Sequence, residues 1–180
     1  MAKTAVLETP RLLLRAWRSS DREPFYRMNS DPRVMEFFPQ CLSREASDEV
    51  VDRIERHFER YGFGLFAADL RETGDFIGFI GLARPSFEAH FTPAVEIGWR
   101  LAAEFWNRGL ATEGARAVVR YGFEELRLPE IVSITVPANV PSRRVMEKLG
   151  MTHDPADDFD HPKIPEGHPL RRQVLYRLRS

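Results

Sequence analysis

Apolar residues recur along the chain with two different periods. After Pro10, the stretch RLLLRAW sets Leu12 and Leu14 on one side with Arg11 and Arg15 among the flanking positions, as in a strand. Ser19, Ser20 and Asp21 then offer helix caps, and Phe25, Tyr26 and Met28 give a short helix its apolar side. Asp31-Pro32 reads as a further helix start. Between Ser43 and Tyr61, Val50, Ile54 and Phe58 recur every fourth residue with charges between them, the pattern of an amphipathic helix that Gly62 ends. FGLFAADL and FIGFIGLA predict two strands, with the Gly and Asp of RETGD turning the chain. AVEIGWRL, residues 94–101, is a third, largely apolar strand. Ala111 to Leu126 predicts a helix with Ala111, Ala115, Val118, Gly122 and Leu126 on one side, stopped by Pro129. IVSITV (131–136) is β-branched and reads as a buried strand. Pro141 suits the first turn of a helix reaching Leu149 and closed by Gly150, and QVLYRL is a final strand. With no repeat, linker or low-complexity segment, the expectation is one mixed α/β domain over 1–180.

Composition adds exclusions more than identity. With 180 residues, 43% of them hydrophobic and 29% charged, the chain suits a globular core without disulfides. The net charge is 26 − 27 = −1 and no basic stripe stands out, so no nucleic-acid partner is expected. The lone Cys41 suits a reducing compartment. MAKTAVLETP lacks the apolar core of a secretion signal, and no stretch approaches the ~20 apolar residues of a membrane span, so a cytoplasmic protein without membrane contact is expected.

The first candidate chemistry lies in WNRGLATEGARAVVRYGFEEL, where Gly109-x-Ala111-x-x-Gly114 runs into a helix. Backbone N–H groups at a helix start lack partners within the helix, and the macrodipole adds about half a positive charge there. Gly109 and Ala111 leave room for an anion, Arg108 adds a full charge, and a diphosphate would fit. The plain alternative is a turn glycine and a packing alanine. A dinucleotide fold is a poor match, because AAEFWNR separates strand from glycine where that fingerprint runs straight in, although Glu130 could serve as its acid. A Walker loop would need Gly-Lys-Ser/Thr.

EIGWRL…WNRGLATEGARAVVRYGFEEL, followed by IVSITVPANVPSRRVMEKLGM, resembles the GNAT N-acetyltransferase superfamily, and within it the branch of ribosomal-protein N-terminal acetyltransferases. The resemblance implies a twisted mixed sheet of about seven strands flanked by helices. AVEIGWRL would be its fourth strand, splayed from the fifth around acetyl-CoA. It implies that backbone at Trp99, Arg100 and Leu101 holds the pantetheine arm like an added strand. Backbone amides at Arg108, Gly109, Leu110, Ala111, Thr112 and Glu113 would hold the pyrophosphate. Asn139 would contact the pantetheine region and Ser142 would lie near the thiol, while either could equally cap the following helix. Trp106 stands where the family often has Gln or Arg. A homodimer is implied by resemblance alone.

Acetyl transfer to an amine needs a base, donors for the thioester oxygen and a proton for the leaving thiolate. It needs no metal and no covalent enzyme intermediate. Glu96, on the strand beside the reacting carbonyl, is the candidate base; the alternative is a structural partner for Arg100. Ser142 is the thiolate's candidate donor by resemblance. A backbone N–H near Trp99 could serve the thioester oxygen, and His90 is a second candidate base.

For the acceptor, HDPADDFDHPKIPEGHP (153–169) matches neither an EF-hand nor a zinc helix. By resemblance it borders the acceptor groove, where Asp158, Asp160 and His161 would draw a cationic amine, unless the loop is merely solvated. Phe37 and Phe38 would belong to the opposite wall or to the core. The reading is an acetyl-CoA-dependent N-acetyltransferase acting on a protein N-terminus or a small-molecule amine, with a non-catalytic acyl-CoA-binding module as the alternative.

Overall fold

The computed structural model describes residues 5–180; the first four residues of the MAKTAVLETP opening lie outside them. The elements are β1 (Leu7–Glu8), β2 (Leu12–Arg15), α1 (Arg22–Asn29), α2 (Arg44–Tyr61), β3 (Leu65–Leu70), β4 (Phe76–Ala83), β5 (Glu96–Leu101), α3 (Leu110–Glu124), β6 (Glu130–Thr135), α4 (Val140–Lys148), β7 (Thr152–His153), β8 (Phe159–Asp160) and β9 (Arg172–Arg179). The sheet runs β1-β2-β3-β4-β5-β6-β9-β7, with β8 on β9. Neighbours are antiparallel throughout, except that β5 and β6 are parallel and joined by the α3 crossover.

The punctuation residues act as read. The Ser43 side chain accepts the Ala46 N–H to open α2, and Gly62 closes it in the left-handed region at φ 76°. The sheet has two covered faces. On one, α3 and α4 pack through Leu110, Ala115, Val118 and Met146 against Leu12, Phe66, Ile80 and Ile97. On the other, Phe25 and Met28 of α1 and Val51 and Ile54 of α2 cover Ala67 and Phe79. Arg15 ties β2 and β3 to the start of α1: it is buried and hydrogen-bonds both oxygens of Asp21 (2.7 and 2.9 Å) and of Asp69 (2.6 Å each).

Two expectations need correction. Nine strands form rather than about seven, because β1, β7 and β8 are two-residue strands that exist only by pairing: β1 turns straight back on β2, and β7 and β8 add to β9. Asp31-Pro32 does not start a helix. The Asp31 carboxylate accepts the Arg33 N–H at 2.9 Å, and the backbone closes only isolated turns at Met35 and Phe38. A side chain that competes for backbone N–H groups favours turns, and Pro39 brings none of its own. No helix among the described residues is long and apolar enough to cross a membrane.

Candidate active site

β5 and β6 register at a single pair, Glu96 with Val132, and then part. Two bonds close the apex of the V: Val132 N–H to the Val95 carbonyl (2.9 Å), and the buried Ser133 hydroxyl to the Ile97 carbonyl (3.0 Å). Peptide groups alternate between the two edges of a strand. Val95 and Ile97 therefore face β6, and so does Trp99, whose N–H and C=O meet the opening of the V. Arg100 faces the other way. Its carbonyl lies so close to β4 that a Cβ on Gly78 would come within 2.0 Å of it. The Leu101 carbonyl accepts the Trp106 indole N–H at 2.8 Å. Of the three backbone positions expected to meet a pantetheine arm, Trp99 and Leu101 are on the edge that faces the V, with the Leu101 carbonyl already engaged, and Arg100 faces β4.

The side chains of β5 divide by the same alternation. Trp99 crosses the V, and its Nε1–H donates to Ser142 Oγ at 3.1 Å. Asn139 is the α4 cap: it accepts the Ser142 N–H (3.2 Å) and donates to Thr135 Oγ1 (3.0 Å). Capping thus claims its side chain, and Ser142 is left with a hydroxyl proton to donate. Glu96, Gly98 and Arg100 lie on the α1/α2 face. A Cβ on Gly98 would meet nothing within 4 Å, so the middle of this row is open space.

Glu96 does not pair with Arg100; among the described residues no hydrogen bond or ion pair engages its carboxyl. Its registered neighbour Val132 belongs to a cluster with Phe91, Phe159 and Leu175, with Phe87 and Ile134 packed around it. Burial pushes the Glu96 carboxyl up to about 8.

At the other end of the V, Gly109 opens α3 in the left-handed region at φ 75°, where a side chain would be strained. Gly114 lets α3 approach the sheet, since a Cβ there would sit 2.4 Å from Ile80 Cδ1. The N–H groups of Gly109, Leu110, Ala111 and Thr112 lie before the first helical bond, which runs from Glu113 N–H to the Gly109 carbonyl. The Glu113 amide is therefore spent, and its carboxylate is held by Thr9 Oγ1 (2.6 Å) and by Arg11 N–H (2.9 Å) and Nε (2.6 Å). Glu113 braces the loop rather than facing an anion. Beside the exposed Arg108, a cleft is also lined by Pro10, Arg11, Leu70, Arg71 and Glu72.

Three aspartates of the acidic segment are engaged. Asp157 pairs with Arg177 (2.7 Å) and with His90 (3.4 Å), Asp158 with His153 (2.7 Å), and Asp160 with Arg171 (3.6 Å) and Arg172 (3.4 Å). His161 lies against Phe87 with the rings tilted, and burial lowers its pKa. His90 is tied to Asp157 and the aromatic cluster, a bridge between loops. Phe37 is half-buried and outside the core clusters; Phe38 is exposed and lies over the Arg100 guanidinium, 4.2 Å from its ring centroid.

The model of the acetyltransferase (GNAT) domain family matches residues 11–152. The chain belongs to the GNAT family. It is 32% identical over 172 residues to the Bacillus subtilis (strain 168) protein "Uncharacterized N-acetyltransferase YnaD", covering 96% of this chain and 95% of that one. The crystal structure of an acetyltransferase from Agrobacterium tumefaciens str. C58 superposes with a TM-score of 0.78 at 30% identity, covering 98% and 95% of the two chains. A ribosomal L7/L12 alpha-N-protein acetyltransferase in complex with coenzyme A shares the fold, with a TM-score of 0.76 at 16% identity over 97% and 98%. This GNAT chain is an acyltransferase, and its sheet parts between β5 and β6 as the family resemblance implied.

Sequence reading named the Arg100 side chain only as a possible partner of Glu96, and missed its lack of a carboxylate partner among the described residues and the open row at Gly98. The every-second-residue spacing of Glu96, Gly98 and Arg100 carried the signal.

Proposed function

We propose that this enzyme is an acetyl-CoA-dependent N-acetyltransferase that acylates a primary amine by direct attack. The observation that carries the reading is the single-pair junction of β5 and β6, with an unpaired Trp99 backbone on one wall and the free amides of 109–112 at the rim. A diphosphate fits there: Gly109 brings no Cβ, the α3 N-terminus is electropositive, and Arg108 is adjacent. Bound acetyl-CoA supplies the activated acyl group that the amine takes, releasing a thiol.

The chain's own residues divide the remaining work. The Trp99 N–H donates to the oxygen that gains negative charge. Glu96 takes the proton the amine must lose, directly or through one water; with a pKa near 8 it is matched to amines that titrate at about 8 to 10. Ser142, polarised by the Trp99 indole, donates a hydrogen bond to the departing sulfur and keeps its own proton, and the thiolate takes its proton from solvent. The amine is a protein N-terminus or a small molecule.

Thermal unfolding with acetyl-CoA, CoA and NADH in parallel tests the reading. A ligand at about 100 times its dissociation constant adds about 2.7 kcal/mol, several degrees for this size. Stabilisation by acetyl-CoA, absent with NADH and reduced in Gly109→Asp, is expected; no shift with either CoA species removes the reading. Acetyl-CoA binding without turnover of any amine would mark a binding module instead.

A further inference from the structure

Two arginines in this fold carry buried donors, Arg15 as a whole side chain and Arg100, half-buried as a residue, at its Nε, and they are treated differently. Arg15 has four hydrogen bonds to two carboxylates. Arg100 has no carboxylate within ion-pair distance among the described residues. One nitrogen, Nη1, donates to Asn29 Oδ1 at 2.8 Å, and Asn29 is itself buried and committed to Ser47 Oγ through Nδ2 (2.9 Å). Nε is buried without any partner. The guanidinium is stacked between Phe38 (4.2 Å) and Phe79 (5.4 Å). Burial lowers its pKa to about 10, which leaves it charged at neutral pH.

A buried charge without a counter-ion costs stability, and a protein that keeps one has a ligand for it or a penalty without return. The donors left free, Nε–H and Nη2, form the edge of a guanidinium that takes both oxygens of a planar carboxylate. Arg100 sits on the Glu96–Gly98–Arg100 row, about 13 Å from Glu96 along the strand, with open space at Gly98 between them. The covering ring, Phe38, rides on a segment without helix or strand, so a ligand reaches the edge by displacing an exposed side chain rather than a core element. Asp158 and Asp160, expected to draw a cationic acceptor, are engaged with His153 and with Arg171 and Arg172, whereas Arg100 has no such partner among the described residues.

We propose that the acceptor is an amine that also carries a carboxylate, and that Arg100 binds this carboxylate through its Nε and Nη2 edge while Glu96 meets the amine. The inference rests on the acetyl-transfer reading. A free amino acid and a protein N-terminus with a nearby acidic residue share this chemistry.

The test is an acceptor screen with acetyl-CoA and thiol detection, using matched pairs. One arm sets L-amino acids and ω-amino acids of increasing length against their amides. The other sets the peptide amide Ser-Glu-Ala against Ser-Gln-Ala. Wild type should favour the carboxylate member of one arm by about tenfold or more in kcat/KM, mainly through KM, as hydrogen bonds to a charged group allow. Arg100→Gln should collapse that ratio towards one, and Arg100→Lys should restore part of it. Thermal stability of Arg100→Gln should hold or rise, where a purely structural arginine would lower it. N-acetyl-amino acids and their amides, titrated as product analogues by thermal shift, read the same ratio without turnover. A ratio near one in wild type across every pair, a ratio unchanged in Arg100→Gln, or a parallel loss of acetyl-CoA affinity overturns the proposal. Turnover of neutral amines without preference does so while leaving acetyl transfer intact, whereas failure of acetyl-CoA to stabilise the protein removes the parent reading instead.

Discussion

Glu96 is where burial and chemistry conflict most directly. Its carboxyl titrates near 4.5 in an unfolded chain and at about 8 here, because burial disfavours its charge. Between those values the folded state holds a proton that the unfolded state has lost, so stability falls as pH rises from about 4.5 through about 8. Glu96→Gln removes that titration. Its melting temperature should match wild type near pH 5 and exceed it at pH 8.5, a difference read by paired melts across the range. Turnover should behave oppositely. The basic form does the work, so wild-type kcat should climb with an apparent pKa near 8, and Glu96→Gln should lose about 100-fold or more together with that limb. Equal activity of the two proteins at all pH values would remove Glu96 from the reaction. A gain in stability paired with a loss of rate is expected of a group held in a strained electrostatic state for function.

At the scale of elements, legibility follows the range of the forces involved. The α2 helix announces itself through Val50, Ile54 and Phe58, and its caps Ser43 and Gly62 act on neighbours a few residues away. The strand pair around RETGD and the loop before α3 are local in the same sense. β7 and β8 are not: two residues carry no period, and each exists only because β9, further along the chain, offers its edge. The pairing of Asp157 with Arg177 and, among the described residues, the absence of a carboxylate partner for Arg100 are likewise facts of tertiary placement, invisible in the spacing of charges. The seat of α3 shows the two ranges meeting. Gly114 reads as part of a phosphate loop, yet its Cβ position is closed by Ile80 at 2.4 Å and Leu12 at 3.1 Å. Gly114→Val should therefore overpack a core whose Ile80 and Leu12 are fully buried, destabilising by about 1–3 kcal/mol. It should also tilt the α3 start away from the V, so acetyl-CoA affinity falls although residue 114 lies beyond the free amides. A variant of wild-type stability would mean that the core yields more easily than its burial implies.

Across the whole molecule, the sheet behaves as two halves, β1 to β5 and β6 to β9, joined in the plane by one registered pair. The V that admits a cofactor is the same feature that leaves this seam weak. Ser133 is the side-chain clip at its apex: 2% exposed, it gives its hydroxyl proton to the Ile97 carbonyl, the last β5 acceptor before the strands part. Ser133→Ala keeps the volume nearly constant but leaves that carbonyl unsatisfied in the interior, which costs about 1–3 kcal/mol. At roughly 2–4 °C per kcal/mol for a protein of this size, the melting temperature should drop by several degrees. The seam also sets the angle at which Trp99 faces α4 and Ser142. Ser133→Ala should therefore weaken acetyl-CoA as well, so that the ligand restores less stability than it gives wild type. If the melting temperature falls while the ligand-induced shift stays whole, the apex holds the two halves together without shaping the cleft between them. A loss in both would tie the stability of the sheet to the geometry of transfer through a single hydroxyl.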